Sequence, residues 1–124
     1  MSSAALIALI FVGGGLGSIA RFGVGKMALH YYADGKFPLG TLIANTLACI
    51  ILGVTLYIFK DRLLENDWIK YFVIIGFCGG FSTFSTFSLD TVRLFSDGLF
   101  LVGVLNILIS VALGISILWV LIKI

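Results

Sequence analysis

Four stretches of this chain contain no Asp, Glu, Lys or Arg: Met1–Ala20, Phe37–Phe59, Tyr71–Leu89 and Gly98–Ile122. They run for 20, 23, 19 and 25 residues. About 20 apolar residues, wound as a helix, cross the hydrocarbon core of a bilayer. In a chain of 124 residues they leave only short connections and no room for a soluble domain. Composition agrees: 60% of residues are hydrophobic and 11% charged, too little charge to clothe a water-soluble surface. The expected fold is an all-α integral membrane protein, one domain over 1–124, with spans over 3–31, 37–59, 69–95 and 98–122.

A secretory signal is the competing reading of the first stretch. No Lys or Arg precedes the apolar run, and more apolar spans follow it, so a transmembrane helix is favoured. Cys49 and Cys78 fall inside apolar spans and read as small hydrophobes rather than a disulfide or metal framework. His30 stands alone and reads as an interfacial or packing residue. No feature suggests nucleic-acid binding or an enzyme.

Basic residues do not choose an orientation. Lys60, Arg62, Lys70 and Lys123 fall on one side of a four-span topology; Lys26, Lys36 and Arg93 fall on the other, with Arg21 deeper at that end of the first helix. The positive-inside rule needs an excess on one side. Either a small bias suffices, or the chain inserts both ways and pairs as an inverted homodimer, a single-chain counterpart of inverted repeats. Four helices are also few to enclose a polar path, and a twofold-related copy is a ready source of partners for intramembrane polar groups.

Polar residues inside the spans carry the functional signal. In the first helix, GGGLGSIAR sets Gly13 and Gly17 four apart, so that another helix can approach closely. The dinucleotide-binding reading of such glycines needs a preceding strand, and none is present. Arg21 either snorkels to the interface or lines an aqueous vestibule. In the second helix, Asn45 follows Pro38 by seven residues; its amide either joins two helices or lines a polar path.

The third span reads GFCGGFSTFSTFSLD. Gly76, Gly79 and Gly80 stand directly before Ser82, Thr83, Ser85, Thr86 and Ser88. This composition weakens a regular helix, and a break near 79–82 is expected, tolerated only where freed carbonyls meet protein, ion or water. Freed carbonyls at the midplane suit a cation such as Na⁺. At about 100° per residue, Ser82, Thr83, Ser85, Thr86 and Asp90 fall on one half of the helix, and Phe81, Phe84 and Phe87 on the other. In the fourth helix, Asn106, Ser110 and Gly114 share one face, either a helix contact or a pore wall.

Together Gly13–Arg21, Gly40–Asn45 (GTLIAN) and Gly76–Phe87 (GFCGGFSTFSTF) resemble the signature segments of the Fluc fluoride channels, also called CrcB. The resemblance extends over essentially the whole chain. It implies an inverted homodimer in the inner or plasma membrane, with two fluoride pores and a structural Na⁺ at the dimer interface. On it, Gly79 and Ser82 supply backbone carbonyls to Na⁺. Phe84, Phe87 and Asn45 line the pore, Thr83, Thr86 and Ser85 form a hydroxyl ladder, Asn106 and Ser110 form a track on the fourth helix, and Arg21 belongs to the vestibule. Three departures from the family pattern stand out: the hydroxyl doublet is Ser82-Thr83, the acid after the repeat is Asp90, and the fourth helix carries Asn106 and Gly114 where a hydroxyl or Tyr is common.

The chemistry fits a passive anion path. Amide and hydroxyl donors can replace the hydration of a small halide, and Phe edges carry the positive end of the ring quadrupole. Contacts that are individually weak allow an ion to leave again. A proton-coupled small multidrug transporter, the main rival, needs a carboxylate within the first helix; the charge-free Met1–Ala20 holds none.

Overall fold

The computed structural model describes residues 1–33, 35–60, 62 and 65–124. Four spans, each long and apolar enough to cross a membrane, make up nearly all of it: Ser3–Tyr31, Leu39–Phe59, Trp68–Ser96 and Phe100–Lys123. There is no strand among the described residues. We label the helices α1 (Ser3–Tyr31), α2 (Leu39–Phe59), α3 (Gly79–Phe81), α4 (Phe84–Ser96) and α5 (Phe100–Lys123); a π-helix, Trp68–Cys78, leads into α3.

Local chemistry sets the helix ends. Ser2 caps α1, its hydroxyl accepting from the Ala5 N–H at 3.2 Å. Pro38 stands just before α2 rather than inside its first turn, and its carbonyl accepts from the Leu42 N–H at 3.2 Å. α4 ends on Gly98, whose φ of 79° only glycine adopts freely. There the Leu99 N–H reaches the Leu94 carbonyl and the Gly98 N–H reaches the Phe95 carbonyl, the two bonds of a Schellman stop.

The helices pair as α1 with the π-helix and α3, and α2 with α5. The first pairing depends on missing side chains. A Cβ on Gly13 would run into the Phe72 carbonyl, and one on Gly17 into the Phe77 carbonyl and the Phe81 amide. Backbone therefore lies on backbone, which is how membrane helices gain packing without a hydrophobic drive. The eleven π-helical residues were not foreseen from periodicity; such windings are rare and usually a single turn.

Where α1, α2 and the third span meet, Ala44, Ala48 and Phe81 form a small fully buried core, flanked by Ala20, Val24, Ile51 and Phe77. Most large apolar side chains instead face outward, as a lipid solvent permits. Lysines mark the span ends by lying over aromatic rings: Lys60 over Tyr57 at 4.9 Å, Lys123 over Trp119 at 5.0 Å and Lys70 over Tyr71 at 5.3 Å. His30 sits exposed at the end of α1, edge-on to Tyr31 with ring centroids 4.8 Å apart. The terminal amine of Met1 reaches Asp67 at 3.5 Å, tying the start of α1 to the start of the third span.

Candidate functional site at the break in the third span

The third span is interrupted at Ser82 and Thr83, at the far edge of the segment where the sequence placed the break. Ser82 adopts φ −80°, ψ 157° and Thr83 φ −152°, ψ 119°, both extended. The glycines before them remain helical, as Gly79 at φ −64°, ψ −38° illustrates. Thr83 is the cause of the restart: its hydroxyl accepts from the Thr86 N–H at 3.1 Å, an N-cap that begins α4.

Two extended residues inside a bilayer must find new partners for their backbone. Asn45 meets this need directly. Its Oδ1 accepts from the Thr83 N–H at 2.7 Å, and its Nδ2 donates to the Thr83 carbonyl at 3.2 Å. Arg21 reaches across from α1, its Nε donating to the Gly80 carbonyl at 3.3 Å. Ser82 closes the turn before the break, its N–H and hydroxyl both donating to the Cys78 carbonyl.

These bonds leave acceptors behind. In an unbroken helix the Thr83 N–H would serve the Gly79 carbonyl, and the Thr86 N–H would serve the Ser82 carbonyl. Here they go to Asn45 and to the Thr83 hydroxyl. Gly79 and Ser82 thus lose their helical donors, and Gly79 is exposed with open space where a Cβ would stand. Both residues line a groove of about 210 Å³ together with Ala48, Cys49 and Cys78, the two free thiols of the chain.

On the other side of the break lies a vestibule of about 760 Å³. Among the described residues its lining includes four basic side chains, Arg21, Lys26, Lys36 and Arg93, against two acidic ones, Asp90 and Asp97. Positive walls of this kind raise the local concentration of anions. Thr83, Thr86 and Asp90 contribute the α4 side of its wall together with Arg93 and Leu94. Asp90 accepts from the Thr41 hydroxyl at 2.8 Å, which ties α4 to α2 on the vestibule wall.

The expected site residues therefore separate into groups. Thr83 and Thr86 face the vestibule with Arg21. Ser85 is exposed, 3.3 Å from the Thr83 hydroxyl, outside that lining. Phe84 and Phe87 form an aromatic pair with ring centroids 6.0 Å apart, Phe84 standing 80% exposed on the surface of the single chain. Asn45 is engaged with Thr83 as described.

Asn106 occupies a different setting. It is only 2% exposed, within the seam between α4 and α5, and donates to the Thr91 hydroxyl at 3.0 Å. Ser110 in turn donates to the Asn106 Oδ1 at 3.3 Å. Within this chain the Asn106 amide nitrogen thus meets a hydroxyl of α4, and its amide oxygen a hydroxyl one turn further along α5.

Sequence reasoning passed over Thr41 and Thr91. Thr41 lies four residues before Asn45 and shares its face, a spacing that could have drawn attention to it. Thr91 lies beyond the charge-free stretch, directly after Asp90, and gave no such signal.

A family model described as "CrcB-like protein, Camphor Resistance (CrcB)" matches residues 8–122. The chain is 42% identical over 115 residues to the fluoride-specific ion channel FluC of Coxiella burnetii (strain CbuK_Q154), covering 91% of each protein. It is 42% identical over 110 residues to that of Pyrococcus abyssi (strain GE5 / Orsay), covering 87% of this chain and 85% of the relative. The FluC protein of Solibacter usitatus (strain Ellin6076) is 35% identical over 111 residues, 90% of each chain.

Proposed function

The chain belongs to the CrcB family, and we propose on that basis that it is a fluoride-selective channel, a multi-pass protein of the bacterial plasma membrane through which fluoride leaves the cell passively. Relatives named fluoride-specific ion channel FluC support this over the multidrug-transporter alternative. The observation that carries it within the molecule is the break at Ser82 and Thr83, held by Asn45 between a basic vestibule and the aromatic pair of an exposed Phe84 and a half-buried Phe87.

Each part has a task on this reading. The vestibule gathers anions, and Arg21 lines it while bonded to the Gly80 carbonyl just before the break. Thr83 and Thr86 offer hydroxyls to an ion shedding water, and Asn45, one amide hydrogen spent on Thr83, keeps a second to donate. Beyond them Phe84 and Phe87 present ring edges, with Ser85 beside them. A larger, more weakly hydrogen-bonding chloride gains less from the same donors.

We place these rings at a contact between two inverted copies. Carbonyls at Gly79 and Ser82 that have lost their helical donors are poor neighbours for lipid, and a second copy would cover them. The balance of basic residues between the two sides is compatible with insertion in both directions. The carbonyls of Gly79 and Ser82 also fit a structural sodium ion, since they are hard oxygen donors released at a break. Two copies would supply four such oxygens. When bound, the ion would add fixed positive charge near the paths, and the two residues of each chain would hold it by backbone, whatever side chain stands at position 82.

Purified protein in liposomes loaded with fluoride tests the reading. Rapid efflux sensed by a fluoride electrode is expected, dependent on a counter-ion pathway, with chloride retained. Absence of fluoride efflux would reject it.

A further inference from the structure

Beyond the residues at the break, the half-helix that carries Phe87 is held by a run of three hydrogen bonds that all point one way. The Ser110 hydroxyl donates to the Asn106 Oδ1, the Asn106 Nδ2 donates to the Thr91 hydroxyl, and the Thr91 hydroxyl donates to the Phe87 carbonyl at 2.8 Å. Among the described residues Asn106 is the largest fully buried side chain, and Thr91 is 6% exposed beside it. Placing an amide and a hydroxyl so deep is costly unless each is bonded, so the seam is built around this relay. Aligned donors and acceptors also polarise one another.

Its terminus is the informative point. Thr91 bonds back one turn along its own helix, and such back-bonding bends and fixes the local backbone. The carbonyl it grips belongs to Phe87, whose ring pairs with Phe84. α4 has only 13 residues and buries just Thr91 and Leu94, so apolar packing gives it little resistance to rolling. Asn45 holds its start through Thr83, and Thr41 holds Asp90. On the α5 side, the relay and the packing of Phe95 over Gly103 set its rotation.

We propose that Thr91 and Asn106 are positioning residues: through the Phe87 carbonyl they fix the rotation of α4 and hence the direction of the Phe87 ring, without meeting the ion. This rests on the reading that Phe87 borders the fluoride path. Asn106 then contributes to selectivity from within a helix seam, and Ser110 anchors the outer end of the relay. A ring free to turn would present its face as often as its edge, and the face repels an anion.

Thr91→Val keeps the shape and removes the relay's central hydroxyl; Thr91→Ser keeps the hydroxyl. Two readouts decide. In liposomes, Thr91→Val should slow fluoride efflux about tenfold or admit chloride, with Thr91→Ser within about twofold of the parent. In detergent, 4-fluorophenylalanine placed site-specifically at position 87 should give one ¹⁹F resonance in the parent and in Thr91→Ser, but a second or broadened one in Thr91→Val. Ser110→Ala trims the half-buried end of the relay, and should shift both readouts the same way by less. It carries the test if Thr91→Val fails to elute as the native species.

Unchanged flux and an unchanged resonance would overturn the proposal. So would slower flux with the resonance unchanged, because the effect of Thr91 would then bypass Phe87. The resonance is read without any transport assay, so a chain that carries no fluoride would sink the channel reading and leave this comparison standing.

Discussion

Asn45 holds both backbone polar groups of Thr83, accepting from its N–H at 2.7 Å and donating to its carbonyl at 3.2 Å. One side chain on α2 thus replaces the Gly79 carbonyl that an unbroken helix would have offered the Thr83 N–H, and adds a second donor to the carbonyl with which Thr83, as N-cap, opens α4. The bidentate grip turns a helix break inside a membrane from a liability into a fixed feature, since the freed Thr83 N–H is paired and its carbonyl is held from a second side.

Asn45→Leu keeps the volume and removes both bonds. The Thr83 N–H left unpaired costs about 1–3 kcal/mol, equivalent to about fivefold or more in a rate. Fluoride efflux should fall by that factor or more, and the midpoint of thermal aggregation should drop. Wild-type flux from this variant would show that the grip is dispensable.

Gly17 and Gly15 make a matched pair. A Cβ at Gly17 meets the backbone of Phe77, Gly80 and Phe81, whereas one at Gly15 meets nothing within 4 Å. Overfilling a tight contact costs about 1–3 kcal/mol. Gly17→Ala should therefore lower yield and thermal stability, and Gly15→Ala should leave both unchanged. Equal behaviour of the two would contradict the close crossing of α1 over the third span.

Phe84 stands exposed at the start of α4 and pairs with Phe87. Phe84→Ile retains an apolar side chain but has no ring edge to offer an anion. The protein should elute normally from gel filtration, while fluoride efflux falls at least about tenfold as the ion crosses without that edge. Retained flux would take this ring off the ion path.

Inverted insertion is tested by topology. In a background with Cys49→Ala and Cys78→Ala, a reporter thiol introduced as Asp97→Cys sits in the short connection between α4 and α5. An impermeant maleimide applied outside intact cells should label roughly half of the population, the remainder reacting only after lysis, as an even charge balance predicts. Labelling from one side alone would rule out the antiparallel pair.

Charge patterning along the chain dictated the solvent and the helix count. Charge confined to four short intervals leaves lipid as the medium, and lipid admits only structures that satisfy their own backbone, so four apolar runs become four helices. The interruption of the third span was legible too, from glycines followed by hydroxyls, because those residues lower the cost of leaving the helix. Its location at Ser82 and Thr83 was decided by Asn45 and by the Thr83 cap, and the bond from Asn45 is made between helices, where no local spacing records it.

The same limit explains Asn106, Thr91 and Thr41. Periodicity gives the face of a helix on which a residue sits, and it gave Asn106 and Ser110 a common face. Which neighbour that face meets depends on how α5 is rotated against α4 and α2, and that rotation is settled by packing along the whole length of each helix. The structure turned Asn106 toward Thr91 and Asp90 toward Thr41. A side chain's type is local information; its partner across a bilayer is not.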